Sequence, residues 1–256
     1  MLTQTPLTEA AKTDVPPSVD VHSYERFVAT FPLQGDHLYQ TIFDAHRDVI
    51  QTQKSKFAVA NLEKILSATF EISARSGFSR MSLRDLSRTT GMSMGAIYSC
   101  IAKKEDIVLM VATVVRLSSE LTRRHAGESE RIWPRLEQII RFHLYVSTLL
   151  QPWYFFLYFE TRSLPEGQQK VSTRIELDAI AAFTQQIQAG VESGEFVCET
   201  PRAVANGIVV MLEDWYLKPW KMGSSSSQTL SEQHQSIESY YQDLISMIRS
   251  LLRVNP

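Results

Sequence analysis

From residue 105 onward, apolar side chains recur at three-to-four spacing in run after run, and that period restricts the chain to helices. Ile107, Val111, Val114, Ser118 and Leu121 form one stripe, and Ile132, Leu136, Ile139, His143 and Val146 a second. Val171, Ile175, Ile180, Phe183, Ile187 and Val191 form a third, closed by Gly194. Pro201 stands where a first helical turn tolerates it, ahead of an apolar run from Ala203 to Trp215. Ile237, Tyr241, Leu244, Ile248 and Leu251 make the last stripe. Upstream, a helical pattern runs from about Ala58 to Arg75 and stops at Ser76-Gly77, where glycine can take the left-handed conformation that closes a helix. Leu38, Ile42, Ala45 and Val49 predict a further helix over 37–53. Alternating strand patterns are nearly absent and no internal repeat is visible. The predicted fold class is all-α.

The same residues exclude several classes of function. The most apolar run, Leu149 to Phe159, is short and broken by Gln151 and Pro152, so no membrane span is expected. The N-terminus has no basic-then-apolar signal pattern, and residues 1–22, with Pro6, Pro16 and Pro17, are expected to be disordered. Two cysteines, Cys100 and Cys198, argue against a disulfide scaffold and fit a cytoplasmic protein. No His/Cys/Asp/Glu spacing suggests a metal site, and no cofactor motif is present. The run Gly223 to Ser227 reads as a linker rather than a catalytic elbow.

Charge is unevenly placed. The formal net charge is −2, yet residues 54–104 carry nine basic and three acidic groups, a local +6 between two acidic flanks of −4 each. Contacting phosphates needs local positive charge, not a basic whole protein. Inside that segment, Ser82 can cap a helix and Asp85 can answer it, with Leu83, Leu86 and Ser87 facing inward. Gly91 falls at a tight turn, with Met92 to plug the core beneath it. Ser93 then caps a second short helix over 94–100, where Gly95 and Ala96 are small and Ile97 anchors the inner side. Cap, helix, glycine turn, cap, helix is the spacing that sets a second helix in the major groove.

The run from about Leu62 to Ile107 resembles the N-terminal domain of TetR-type (TetR/AcrR) transcriptional regulators. Ile65, Ala68, Phe70, Gly77, Phe78, Ser82, Leu86, Gly91, Ser93, Gly95, Ile97, Tyr98, Lys104, Glu105 and Ile107 carry the match, over about a fifth of the chain. It departs from the pattern at Ser99-Cys100, at Ile101 in place of phenylalanine, and at Lys103, where the family places a Ser or Asn cap. The resemblance implies that Met94, Gly95, Ala96 and Ser99 face bases, while Ser82, Ser93, Tyr98 and Lys104 reach phosphates of a double-stranded DNA operator. Met94 and Ala96 can offer only apolar contacts, such as to thymine methyls. It also implies three parts: an extension (1–53), a DNA-binding domain (54–104), and an effector-binding and dimerisation domain (105–256).

Eight of the chain's 25 aromatics fall within residues 142–160, on every face of a helix. They must be sandwiched between helices, line a cavity, or pack on a partner. By resemblance, a pocket there receives a small hydrophobic or aromatic effector, with His143, Trp153, Phe155, Phe156, Phe159 and Trp215 as candidate ligand residues. His143 either binds a polar group of the ligand or is a satisfied core histidine. Trp215 followed by Pro219-Trp220 resembles members that sense fatty acyl or other hydrophobic compounds. The stripes at 201–217 and 237–252 match the pair that forms the family's homodimer interface. The implied mechanism is repression: the effector shifts the helix starting near Lys104, respaces the two reading helices and releases a pseudo-palindromic operator. Residues 24–53 either add a helix to the DNA-binding domain or touch the dimer partner, and a disordered tail with one packed helix is the simpler reading. Two rival classes remain, a small-molecule enzyme and a helical adaptor without DNA binding. The first lacks a convergent set of nucleophile, acid or base groups. The second leaves the +6 segment without a purpose.

Overall fold

Every regular element among the described residues is helical, as the three-to-four spacing requires. The computed structural model describes residues 19–125, 131–218 and 229–254. Pro6, Pro16 and Pro17, the pair Pro219-Trp220 and the run Gly223 to Ser227 lie outside the described residues.

The extension holds two helices rather than one. Helix α1 (Tyr24–Thr30) is capped by Ser23, and α2 (Gly35–Ala45) buries Leu38, Ile42 and Phe43. The helix predicted over 37–53 stops at Ala45, which is exposed, because the chain turns there and His46 Nε2 pairs with Thr113 Oγ1 at 3.0 Å. Helix α3 (Ser55–Ser76) buries Ala58, Leu62, Ile65, Ala68 and Ile72 and ends at Gly77, φ 81°. After a 3₁₀ turn (Phe78–Arg80), α4 (Leu83–Thr90) starts on a capping box between Ser82 and Asp85 and closes at Gly91 in the left-handed region, φ 69°. Helix α5 is Met94–Tyr98, two residues shorter than the expected 94–100, and Ser93 accepts its Ala96 N–H at 3.2 Å.

Helix α6 (Glu105–His125) begins without the Ser or Asn cap that Lys103 displaces. Asp106, inside its first turn, supplies the acceptor instead: its Oδ2 takes the N–H groups of Ala102 and Lys103, each at 2.9 Å. The remaining elements are α7 (Ile132–Leu149), α8 (Gln151–Phe159), a 3₁₀ turn at Glu160–Ser163, α9 (Glu166–Glu192), α10 (Pro201–Leu217) and α11 (Leu230–Leu252).

Helix α8 is the joint between the two ends of the molecule. Trp153 and Phe156 meet Phe70 of α3 at ring-centroid distances of 5.1 and 5.8 Å, and Phe156 meets Phe78 at 4.8 Å. Just beyond α8, buried Glu160 accepts the Phe78 N–H at 2.7 Å. The extension makes a second tie. Phe27 of α1 packs on Phe142 and Tyr145 of α7, and the Tyr24 N–H donates to His234 Nδ1 of α11 at 3.2 Å. At its other end, the N–H groups of Gln51 and Thr52 donate to the Ser99 carbonyl, at the exit of α5.

Candidate functional site

The outer face of α4 and α5 is where the sequence motif points. Leu86 and Ile97 are fully buried and hold the two helices to α3, and Met92 packs half-buried against the same core. Ser87 Oγ donates to the Met92 carbonyl at 2.7 Å, pinning the turn at Gly91. With Ile97 inward, Ser93, Gly95 and Tyr98 are exposed, and Met94 and Ala96 are half-exposed. Tyr98 keeps 47% of its surface open. Lys54, Lys56, Arg80 and Arg84 are exposed cations of the same module.

Three expected contacts are placed otherwise. Lys104 does not present its ammonium outward: Nζ donates to the carbonyls of Phe78, Ser79 and Met81 at 3.2, 2.8 and 3.0 Å, and lies 5.3 Å from the Phe78 ring centroid. An ammonium has three donors, and all three are taken. Ser82 is exposed, but its hydroxyl and N–H both donate to the Asp85 carboxylate at 2.7 and 2.9 Å. Those bonds, and then Arg88, hold Asp85 below the usual carboxylate range, so a negative charge already sits at the start of α4. The Ser99 hydroxyl donates to Ala96 O at 2.7 Å and accepts from Thr52 Oγ1 at 3.0 Å, which turns it to the extension and not to bases. The sequence held no signal for the Ser99 tie, whereas Arg80 and Arg84 were visible in the +6 count.

The six candidate ligand residues do not meet on one cavity. Trp153 and Phe156 are consumed by the joint with α3. Trp215 Nε1 donates to Thr148 Oγ1 at 2.8 Å and its ring packs on Tyr240, which fixes α10 between α7 and α11. Phe155 stacks on Phe159 at 4.8 Å, and Phe159 is half exposed. Only His143 points at an interior junction, edge-on to Tyr154 at 5.6 Å and tilted to Tyr216 at 6.4 Å; burial pushes its pKa down to about 4. A cavity of about 90 Å³ lies nearby, between α8, the 160–163 turn, α9 and α10. Its lining includes Tyr158, Thr161, Arg162, Ser172, Glu176 and Glu213. One sequence signal marked it: Glu213 interrupts the otherwise apolar inner run Ile208, Val209, Leu212, Trp215, Tyr216.

Solved structures share this arrangement. A tetR-family regulatory protein from Rhodococcus RHA1 superposes with a TM-score of 0.58 at 20% identity, over 76% of this chain and 98% of its own. FadR from Bacillus subtilis, a transcriptional regulator solved with stearoyl-CoA, gives 0.56 at 17% identity, over 72% and 97%. AibR, solved with isovaleryl coenzyme A and operator DNA, gives 0.57 at 13% identity, over 76% and 100%. The family model described as the tetracyclin repressor-like C-terminal domain matches residues 129–243.

The chain carries the TetR-family fold. No curated protein sequence matches it. Almost the whole of each of these three structures is covered, so about a quarter of this chain is additional to the shared fold. Among the described residues, no helix is long and apolar enough to cross a membrane.

Proposed function

We propose that this TetR-family chain is a homodimeric, ligand-responsive transcriptional regulator that acts as a repressor. Residues 54–104 bind a pseudo-palindromic operator, residues 105–256 hold the effector and the dimer contact, and residues 1–53 brace the two. The observation that carries the reading is the open face of α5, with Met94, Gly95, Ala96 and Tyr98 outward while Ile97 is fully buried. Ser93 keeps an uncrowded helix start beside that face, and Arg80 and Arg84 replace Lys104 as the cations for phosphate. This assignment gives the chain no catalytic role. Electrophoretic mobility shift with the DNA upstream of the chain's own coding region tests it at two salt concentrations. A discrete shift that weakens steeply with salt supports it. An adaptor or an enzyme gives no such shift.

The dimer reading draws on α10 and α11. Val210, Met247 and Leu251 are each about half exposed, at 53, 53 and 52%. The Tyr240 hydroxyl donates to Met211 O, and Val197 N–H donates to Leu252 O just ahead of α10, so the helices run antiparallel. Met247 and Leu251 therefore lie along the first half of α10, giving a self-complementary apolar strip. For the effector, a small hydrophobic compound is supported by two similar solved structures, FadR with stearoyl-CoA and AibR with isovaleryl coenzyme A. The aromatic residues first expected to hold it are committed to packing. Release then follows if the effector favours a spacing of the two α5 helices that the operator disfavours.

A further inference from the structure

Helix α5 has only five residues, far fewer than a helix needs to be stable alone, so its attitude is set by whatever grips it. Ser93 holds its start and Ile97 its inner side. Its exit is held by a distant part of the chain. The Ser99 carbonyl accepts the N–H groups of Gln51 at 2.9 Å and Thr52 at 3.2 Å, and the Thr52 hydroxyl donates to Ser99 Oγ at 3.0 Å. In a longer helix the Ser99 carbonyl would take the N–H of residue 103. Here that N–H goes to Asp106 Oδ2 at 2.9 Å, and donors 47 residues upstream stand in its place.

The same segment is anchored at its other end on the helices after residue 105. The Tyr24 ring lies 5.5 Å from that of Tyr145, and its N–H donates to His234 Nδ1 at 3.2 Å. Phe27 is fully buried, with its ring 5.2 Å from Phe142 and 5.4 Å from Tyr145, and Phe31 adds a contact to Phe142 at 6.2 Å. Between the two ends, buried apolar side chains recur at Leu33, Leu38, Ile42, Phe43 and Ile50, and His46 pairs with Thr113 of α6. The segment is therefore pinned along its length, and a pinned segment passes on a displacement that a slack tether absorbs.

We propose that residues 24–52 form a strap that sets the position of α5 from the surface of α7 and α11, with Thr52 as the positioning residue at the reading end and Phe27 as the anchor at the other. A shift of α7 or α11, whether from an effector or from a second copy of the chain, then reaches α5 at its exit, alongside the route through α6. Ser99 serves DNA reading as the point where the strap grips and not as a base contact. The consequence for operator binding rests on the reading of α5 as the DNA-reading helix; the grip of the strap on α5 does not.

Amide hydrogen exchange of the full chain without DNA, read by mass spectrometry on peptides covering residues 94–101, tests the strap. Thr52→Val keeps the side-chain shape and removes the hydroxyl, and should raise exchange there roughly fivefold, the scale of one neutral hydrogen bond. Thr52→Ser should stay at the wild-type rate, and residues 83–90 should not respond to either. Phe27→Ala, on the α7 face, should give a comparable rise at 94–101; His234→Leu probes the same end if Phe27→Ala does not fold. A merely local brace confines the change to the extension's own amides. Exchange at 94–101 indifferent to Thr52→Val, or to the far-end variant, overturns the inference. In mobility shifts, Thr52→Val should weaken operator binding roughly fivefold and leave nonspecific binding and the salt slope unchanged, since Arg80 and Arg84 are untouched. Operator affinity unchanged by Thr52→Val overturns its positioning role. The exchange response without any operator shift from the wild type defeats the regulator reading alone, and an operator shift without the exchange response defeats the strap alone.

Discussion

Lys104 shows how a single side chain can change roles between pattern and structure. Its three carbonyl acceptors belong to the 3₁₀ turn between α3 and α4, so the ammonium fastens that turn to the start of α6. Lys104→Ala is expected to cost about 1–3 kcal/mol of stability, since it leaves the carbonyls of a folded turn without their donors. The logarithmic salt slope of DNA binding should not change, because no phosphate contact is lost. Urea unfolding and a salt titration check the two halves; a slope smaller by about one restores Lys104 to the phosphate face. Two titratable groups shifted by desolvation, His143 and half-buried Glu213, shape the pH response. His143, pushed down to about 4, contributes stability present above its usual 6.5 and lost as pH falls through 4. Glu213, raised to about 7, works the other way: its contribution is full below about 4.5 and lost as pH rises through 7. Thermal midpoints of the wild type should therefore fall on both sides of a maximum between about 5 and 7. Glu213→Gln should flatten the alkaline limb and leave the acid limb in place.

At the scale of elements, most helices were legible because their apolar stripes face one core, as in α3 and α6. Helix α2 was misjudged because Ala45 and Val49 fit the period by chance, while His46 leaves the helix to reach Thr113. The caps and the turn of the α4–α5 pair were legible, down to the left-handed Gly91 and the Ser82–Asp85 box, since caps and glycine turns are local chemistry, whereas α5 ends two residues earlier than its pattern suggests. The packing of the aromatic run was not legible, because such a run looks the same whether it lines a cavity or joins helices. In α8 the rings of Trp153 and Phe156 are spent on Phe70 and Phe78. Helix α9 depends on one small residue near its end. A methyl group at Gly190 would come within 2.2 Å of the Phe196 ring, and Phe196 is 2% exposed. Gly190→Ala is expected to destabilise the protein by about 1–3 kcal/mol through overpacking, read as a lower urea midpoint with an unchanged slope.

For the whole molecule, two ties join the α4–α5 pair to the helices after residue 105. One runs through Glu160 and α8 to Phe78, and the other through α1, α2 and residues 51–52 to Ser99. Any change of spacing at α5 must strain both. The proposed dimer would set two α5 helices as a pair, and the apolar strip on α10 and α11 makes a direct prediction. Met247→Glu with Leu251→Glu should convert a dimer to a monomer in sedimentation while leaving the helical content unchanged; a persisting dimer moves the interface elsewhere. Dimethyl sulfate protection of guanine N7 on the shifted upstream DNA probes the major groove itself. Insertion of α5 from both protomers should protect two clusters about one helical turn apart, roughly 10 base pairs centre to centre, and Gly95→Glu should erase both. Unprotected guanines within a retarded complex, or protection confined to adenine N3 in the minor groove, mean that α5 does not read the operator.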